Sequence, residues 1–269
     1  MIRFTANLGL LFADVPLPQR FARAAAAGFR AVEIWSPYLD PLEDIVEASR
    51  AAGVEIVQFN MDRIDLRAGE RGTLGMPEHR SRFRADLELA IEVAGQLGAQ
   101  RMNALIGNVS SLTTREAQWT CLQENLAWAE SLLATHDLTL VIEPLCLQLN
   151  PAYLLPRPSD LFALLRSLNL SRVKVQYDLF HAQMAEGNLT ATLKENLPLI
   201  GNIQIADAPG RHQPGTGEIA YRFVLQEIEA LGYGGRVGLE FIPLGAVEEA
   251  LAWLPVACRV EGPASALAL

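Results

Sequence analysis

Short apolar runs alternate with longer helical patterns along almost the whole chain, and the alternation repeats eight times. The first apolar run covers residues 3–7 and the last covers 236–240. Parallel strands need crossover connections of a dozen or more residues, so strands that alternate with helices predict a parallel sheet. Eight such units in about 250 residues predict an α/β protein with a single (β/α)₈ barrel, the TIM barrel.

An open, doubly wound sheet is the alternative for an alternating chain. The phosphate-binding patterns common in that fold, GxGxxG after the first strand and GxxxxGK[ST], are both missing. No Pro-, Gly- or Ser-rich linker divides the chain. We therefore predict one barrel domain over residues 1–260 and a C-terminal tail over 261–269.

The charge balance argues against a nucleic-acid partner. The chain has 22 Lys and Arg against 31 Asp and Glu, a net charge of −9, whereas a duplex-binding surface needs clustered cations.

No apolar run reaches the length of a membrane span, and the N-terminus lacks a convincing cleavage site. Three cysteines without a CxxC pattern predict free thiols. We expect a cytoplasmic protein, and the sequence is compatible with a homo-oligomer.

Polar residues end the apolar runs of four consecutive strands, about one β/α unit apart: Glu143, Asp178, Gln204 and Glu240. A single glutamate at a strand end is more often a cap or an ion-pair partner, and Gln204 alone could bond within the barrel. Four on successive strands favour a shared site at the carboxyl end of the barrel. Crowded carboxylates need a compensating charge, and an oxygen-rich set favours a weakly held Mg²⁺ or Mn²⁺ over zinc.

Two loops carry further candidates for substrate contact. The connection over residues 60–78 is long enough to be a lid and contains Glu70 and Arg71. The Gly/Pro-rich loop after the seventh strand contains Arg211 and His212, and arginine is suited to a carboxylate or phosphate; the alternative is a solvent-exposed turn. His181, three residues after Asp178, either packs in the core or reaches a substrate hydroxyl.

Several segments together resemble the hydroxypyruvate isomerase family of the xylose-isomerase-like barrels. They are Ala6-Asn-Leu, Phe59-Asn-Met, Ala68-Gly-Glu-Arg-Gly, Ile142-Glu-Pro, Tyr177-Asp-Leu-Phe-His and the stretch from Ile203-Gln-Ile to Gly217-Glu. The resemblance implies a TIM barrel with Glu143 and Glu240 as the acid/base pair, and with Asp178 and Gln204 completing a divalent-metal site. The chain departs from the family pattern after Pro144, where Leu-Cys replaces the usual Ile-Asn.

On this basis we expect an aldose–ketose type isomerase of a small oxo or hydroxy acid. Hydroxypyruvate and tartronate semialdehyde are the leading pair, interconverted by a Glu-mediated proton shift through a metal-stabilised enediolate. A 2-oxo-tetronate isomerase and a ketose 3-epimerase are alternative enzymes. An abasic-site endonuclease needs a zinc cluster rich in histidine. The chain has only four histidines, which argues against this class. A non-catalytic sugar-acid binding protein would not need the glutamate pair.

Overall fold

Eight parallel strands close into a barrel in the computed structural model, which describes residues 1–269. Strand β1 pairs with both β8 and β2, which completes the ring. The predicted (β/α)₈ barrel is therefore confirmed. The strands are β1 Ile2–Asn7, β2 Ala31–Ile34, β3 Glu55–Asn60, β4 Arg101–Leu105, β5 Thr139–Glu143, β6 Val173–Asp178, β7 Ile200–Ile205 and β8 Arg236–Leu239.

Helices surround the barrel and bury one apolar face each. In the second helix, for example, Ile45 is fully buried while the opposite face carries Glu43 and Asp44, and Gly53 ends it in a left-handed conformation with φ of 63°. No helix combines the length and the apolar character that crossing a membrane requires. The helices are α1 Leu17–Ala26, α2 Leu42–Ala52, α3 Arg80–Leu97, α4 Arg115–Leu133, α5 Pro158–Leu168, α6 Leu179–Ala185, α7 Leu189–Asn196, α8 Tyr221–Ala230 and α9 Val247–Ala250.

Two segments outside the regular alternation have a defined structure. Helix α6 begins directly after β6, because the side chain of Asp178 caps it by accepting a 2.8 Å hydrogen bond from the Phe180 N–H. The C-terminal segment 261–269, which the sequence predicts to follow the barrel domain, packs on the barrel. Its residues Glu261–Gly262 form a short strand, β9, antiparallel to β1, and Leu267 is buried.

The barrel interior contains a polar layer, although such barrels are mostly filled with Val, Ile and Leu. Its members are fully or almost fully buried and come from several strands: Thr5, Glu33, Gln58, Gln176 and Asn202. This layer lies beneath the carboxyl ends of the strands, so it supports the residues that face the mouth.

Candidate active site

A cavity of about 220 Å³ lies at the carboxyl ends of the strands. This is the end of a β/α barrel at which ligands bind. Glutamates from two strands, Glu143 and Glu240, line the same cavity. The other lining residues are Trp35, Asn60, Leu66, Arg71, Leu105, Leu145, Asn150, His181 and Arg211.

Glu143 is the last residue of β5. One of its carboxylate oxygens accepts hydrogen bonds from the protein, and the other accepts none. Its Oε2 accepts hydrogen bonds from Asn103 Nδ2 at 3.0 Å and from Gln176 Nε2 at 2.8 Å, whereas Oε1 has no partner in the protein. Burial raises the pKa of Glu143 well above its ordinary value, and the neighbouring Glu240 and Asp178 carboxylates raise it further. The free oxygen is therefore a basic acceptor that faces the cavity.

Glu240 follows β8 and has partners on both oxygens. Oε1 accepts from Trp35 Nε1 at 2.5 Å and from Asn7 Nδ2 at 3.3 Å, while Oε2 accepts from Arg211 Nη2 at 3.0 Å. Gly9 lets the Trp35 ring lie against the backbone, since a Cβ there would come within 2.4 Å of the ring. Burial raises the pKa of Glu240 to about 7, although Arg211 opposes the shift.

Arg211 is the cation of this carboxylate group. Besides Glu240, its guanidinium lies 3.5 Å from Asp178 Oδ2, and 17% of its side chain is exposed. Burial alone would lower the pKa of Arg211, but Glu240, Asp178 and Glu143 together raise it. Its backbone is left-handed, with φ of 57°, a conformation that side-chain-bearing residues adopt at a cost.

The buried carboxylate of Asp207 organises the loop that presents Arg211. It accepts four backbone N–H hydrogen bonds of 2.8–3.1 Å, from Ala208, Gly215, Thr216 and Ile219. Gly217 is needed in the same loop, because a Cβ there would lie 2.1 Å from the Ala208 carbonyl oxygen. The Arg211 N–H also donates to the Asp207 carbonyl at 2.8 Å.

His181 lies beside Asp178 as a neutral ring with a defined tautomer. The Cys146 N–H donates to His181 Nδ1 at 3.2 Å, and the Cys146 thiol lies 3.1 Å from the same nitrogen. Burial lowers the pKa of His181 well below its ordinary value, and Arg211 adds to this. Since Nδ1 accepts, the proton resides on Nε2, which lies 3.8 Å from Asp178 Oδ2. His181 therefore offers the site a hydrogen-bond donor.

The site has ligand atoms suited to a divalent cation. Atoms of Glu143, Asp178 and His181 lie within 4.8 Å of one another. The tautomer of His181 makes Nε2 a donor, which disfavours it as a ligand. Gln204 supplies an alternative: its Oε1 is buried without a hydrogen-bond partner, while its Nε2 donates to Glu33 Oε2 at 2.7 Å. An unpartnered buried amide oxygen beside crowded carboxylates fits a hard cation.

Arg71 and Glu70, neighbours on the long loop, have different surroundings. Arg71 lines the cavity, and its Nε donates to Asn150 Oδ1 at 2.6 Å. Glu70 lies outside the lining and pairs with Arg82 at 3.3 Å. His212 also lies outside the lining, with Nδ1 2.8 Å from the Ile242 carbonyl oxygen. Only one residue of each loop pair, Arg71 or Arg211, therefore lines the cavity.

Sequence reasoning did not single out the side chains that hold these groups in place. Asn103 and Gln176 donate hydrogen bonds to Glu143, and Asn202 on β7 donates to Glu33 on β2. A signal was present: Gln176 precedes Asp178 by two residues, as Asn202 precedes Gln204. Polar residues at a period of two in an apolar strand share one face of it.

The chain matches known proteins along most of its length. Residues 21–256 match the family model described as xylose isomerase-like TIM barrel. The 2-oxo-tetronate isomerase of Cupriavidus necator is 35% identical, covering 94% of this chain and 98% of the relative. The hydroxypyruvate isomerase of Escherichia coli is 36% identical with the same coverage.

Solved structures agree with the fold. A Brucella melitensis protein described as an AP endonuclease of family 2 superposes with a TM-score of 0.90 at 35% identity, covering 94% of this chain and 98% of that one. The 3-keto-D-glucoside 4-epimerase of E. coli gives a TM-score of 0.79 at 21% identity, with 94% and 99% coverage. At that identity the second likeness shows the fold alone.

Proposed function

The chain belongs to the xylose isomerase-like TIM barrel family, and we propose that it is an intramolecular isomerase of a small oxo or hydroxy acid. The leading reaction interconverts hydroxypyruvate and tartronate semialdehyde. One observation carries the proposal: Glu143 and Glu240, on different strands, line one small cavity and have raised pKa values. Groups that titrate near the working pH are efficient general acids and bases. The names of the relatives support the same reaction class.

Glu143 is the base in this proposal, because its Oε1 is free. It takes a proton from C3 of hydroxypyruvate, and the C–H electron pair enters an enediolate. A proton then returns to C2 from Glu143 or from Glu240, while the hydroxyl proton moves from the C3 oxygen to the C2 oxygen. These transfers balance the reaction without any oxidant or reductant.

His181 and Arg211 hold the substrate oxygens. The Nε2–H of His181 is a neutral donor, and both it and the guanidinium of Arg211 lie within 4 Å of Asp178 Oδ2 beside the cavity. Fixed donors aimed at oxygens that gain negative charge lower the barrier more than they favour the ground state.

Glu143, Asp178, Gln204 and Glu240 would hold a divalent cation, Mg²⁺ or Mn²⁺, weakly enough to be lost on purification. The support is the unpartnered Gln204 Oε1 and the three carboxylates around a single arginine. When bound, the cation would polarise the substrate carbonyl and offset negative charge.

We assign the substrate carboxylate to Arg71. Arg211 is already paired with Asp178 and Glu240, whereas Arg71 bonds only to neutral groups: Asn150 and two backbone carbonyls. Arg71 is thus the cavity cation without a carboxylate partner. Glu70 and His212 have supporting roles in the two loops, since neither lines the cavity.

2-Oxo-tetronate is the second candidate substrate. The C. necator relative is as similar as the E. coli one, and a cavity of about 220 Å³ has room for about seven waters at ~30 Å³ each. A ketose 3-epimerase would act on uncharged sugars, which give Arg71 no partner. The net charge of −9 disfavours a polyanion such as abasic DNA.

A cytoplasmic location stays a prediction, supported by three buried, free cysteines. Free thiols persist where the surroundings are reducing. The choice between a monomer and a homo-oligomer also stays open.

The test is turnover in D₂O, followed by proton NMR with hydroxypyruvate, 2-oxo-tetronate and dihydroxyacetone as substrates. We expect conversion of an acid, deuterium at the carbon that receives the proton, loss of activity on chelation and recovery with Mn²⁺ or Mg²⁺. Partial retention of the original hydrogen would show that a single base carries the proton between the two carbons. Turnover of dihydroxyacetone alone would contradict the acid assignment, and no turnover of any carbonyl substrate by metal-loaded protein would contradict the isomerase.

A further inference from the structure

Glu33 is a carboxylate inside the barrel with only neutral partners. It is 1% exposed. Oε1 accepts from Thr5 Oγ1 at 3.2 Å and Asn202 Nδ2 at 3.0 Å, and Oε2 accepts from Asn7 Nδ2 at 3.3 Å and Gln204 Nε2 at 2.7 Å. Three of these four neighbours are amide groups that present their nitrogen.

The barrel is shaped to hold this carboxylate. Gly238 on β8 faces it, and a Cβ at that position would come within 2.5 Å of Glu33 Oε1. The glycine therefore leaves the space in which the carboxyl group of Glu33 lies. Such a site, satisfied on all sides, is costly to build and indicates a specific use for the acceptor.

The partner most affected is Gln204. Its Nε2 donates to Glu33 Oε2 at 2.7 Å, so the amide of Gln204 turns its NH₂ toward Glu33. The amide oxygen is then left on the other side, where it is buried and has no partner. Gln204 lies opposite Asp178 in the β6–β7 pairing, which places it next to the proposed cation site.

We propose that Glu33 is a positioning residue that fixes the amide of Gln204 so that oxygen, and not nitrogen, is offered to the divalent cation. This inference rests on the metal-dependent isomerase proposed above. Asn7 extends the arrangement, since its Nδ2 also donates to Glu240 Oε1 at 3.3 Å. The orientation of Asn7 is set by Gly9, whose N–H donates to Asn7 Oδ1 at 2.9 Å.

The test is the affinity of metal-free protein for Mn²⁺ alone, measured from the electron paramagnetic resonance signal of free Mn²⁺ during titration, without substrate. Glu33→Gln keeps the size but replaces one acceptor oxygen with a donor, so the Gln204 amide can turn over. Groups that orient metal ligands typically contribute 10–100-fold in affinity, and we expect the Mn²⁺ dissociation constant to rise by that factor.

Two further variants separate positioning from general packing. In the exchange variant Glu33→Gln/Gln204→Glu, residue 33 donates to the new carboxylate, whose second oxygen is free for the cation, so affinity should recover. Thr5→Val removes one donor to the same carboxylate but leaves the Gln204 side intact, so affinity should stay at the parent value. Thermal unfolding of each variant is recorded in parallel.

Parent-like affinity in Glu33→Gln would overturn the inference, and so would an equal loss in Thr5→Val or no recovery in the exchange variant. If Glu33→Gln does not fold, the exchange variant decides, because it keeps the charge and size of the pair. A parent protein that binds no Mn²⁺ would also overturn the inference. Isomerisation by that same metal-free protein would then show that the proposed reaction stands without it.

Discussion

Two buried glutamates, Glu33 in the barrel interior and Glu240 at its mouth, share the same amide group, Asn7 Nδ2, at 3.3 Å each. Their other surroundings differ. Glu33 is surrounded by neutral donors. Glu240 lies with Asp178 and Glu143 around one guanidinium, and burial raises its pKa to about 7.

The comparison separates two uses of a buried carboxylate. Neutral donors on every side create a fixed acceptor that orients its neighbours. Several carboxylates around too few positive charges create groups that bind protons or a cation near neutral pH. Reactivity at the mouth therefore follows from incomplete compensation of the carboxylate charges, and the neutral donors around Glu33 below hold neighbouring groups in place.

The largest expected effect is on chemistry at the mouth. Glu143→Gln and Glu240→Gln keep size but remove proton-accepting ability, so kcat should fall by about 10²–10⁴, equivalent to about 3–5 kcal/mol of barrier. The double variant should lose less than the product of the two, because both residues serve one reaction. Stopped-assay kinetics at saturating Mn²⁺ would measure this.

Glu33→Gln is the matched control for these variants. Its kcat should return toward the parent value at high Mn²⁺, because it retains Glu143 and Glu240. A loss that persists at saturating metal in Glu33→Gln, or parent-like kcat in folded, metal-loaded Glu143→Gln, would erase the distinction between the interior and the mouth.

The next largest effect concerns Arg71, the cavity arginine that does not pair with a carboxylate at the barrel mouth. Arg71→Ala should lower kcat/KM for hydroxypyruvate by roughly 10–100-fold, since hydrogen bonds to charged groups contribute about 1.5–3 kcal/mol. The same substitution should lower kcat/KM for dihydroxyacetone much less, because dihydroxyacetone has a hydroxymethyl group in place of the carboxylate. Arg211→Ala should impair both substrates similarly, because it removes the cation between Asp178 and Glu240.

Arg67→Ala is the control on the same loop, because Arg67 is exposed and makes no side-chain bond. It should leave both substrates unchanged. If Arg211→Ala discriminates between acid and neutral substrate while Arg71→Ala does not, the assignment of the carboxylate to Arg71 is wrong.

The smallest effect is on the stability of metal-free protein against pH. Glu240 has a folded pKa of about 7, above its ordinary value near 4.5, so the folded state holds its proton more tightly than the unfolded chain does. The contribution is present at low pH and is lost as pH rises from about 4.5 to about 7. We expect the melting temperature to fall by roughly 5 °C over that range.

Calorimetric scans in the presence of a chelator test this expectation. Glu240→Gln should make the melting temperature depend less on pH. Added Mn²⁺ should oppose the fall in melting temperature, because it binds the carboxylates of the folded state. A melting temperature that rises across the same range in the chelated parent, with the variant unchanged, would contradict the raised pKa of Glu240.

The sequence alone predicted the barrel and the strand-end positions of Glu143, Asp178, Gln204 and Glu240. Both follow from local information: the alternation of strand and helix patterns, and the polar residue that ends each apolar run. Because all strands of a parallel barrel end at one mouth, position along each strand is enough to bring these residues to the same end.

Tertiary structure decided the partners. Glu33 meets Gln204 from 171 residues away, and the tautomer of His181 depends on Cys146, 35 residues earlier. Such contacts depend on the register between strands and on closure of β8 against β1, which no local pattern encodes. The same reason explains why Arg71 lines the cavity while Glu70 pairs with Arg82: a loop's composition indicates which residues can bind, but only its packing determines which of them face the substrate.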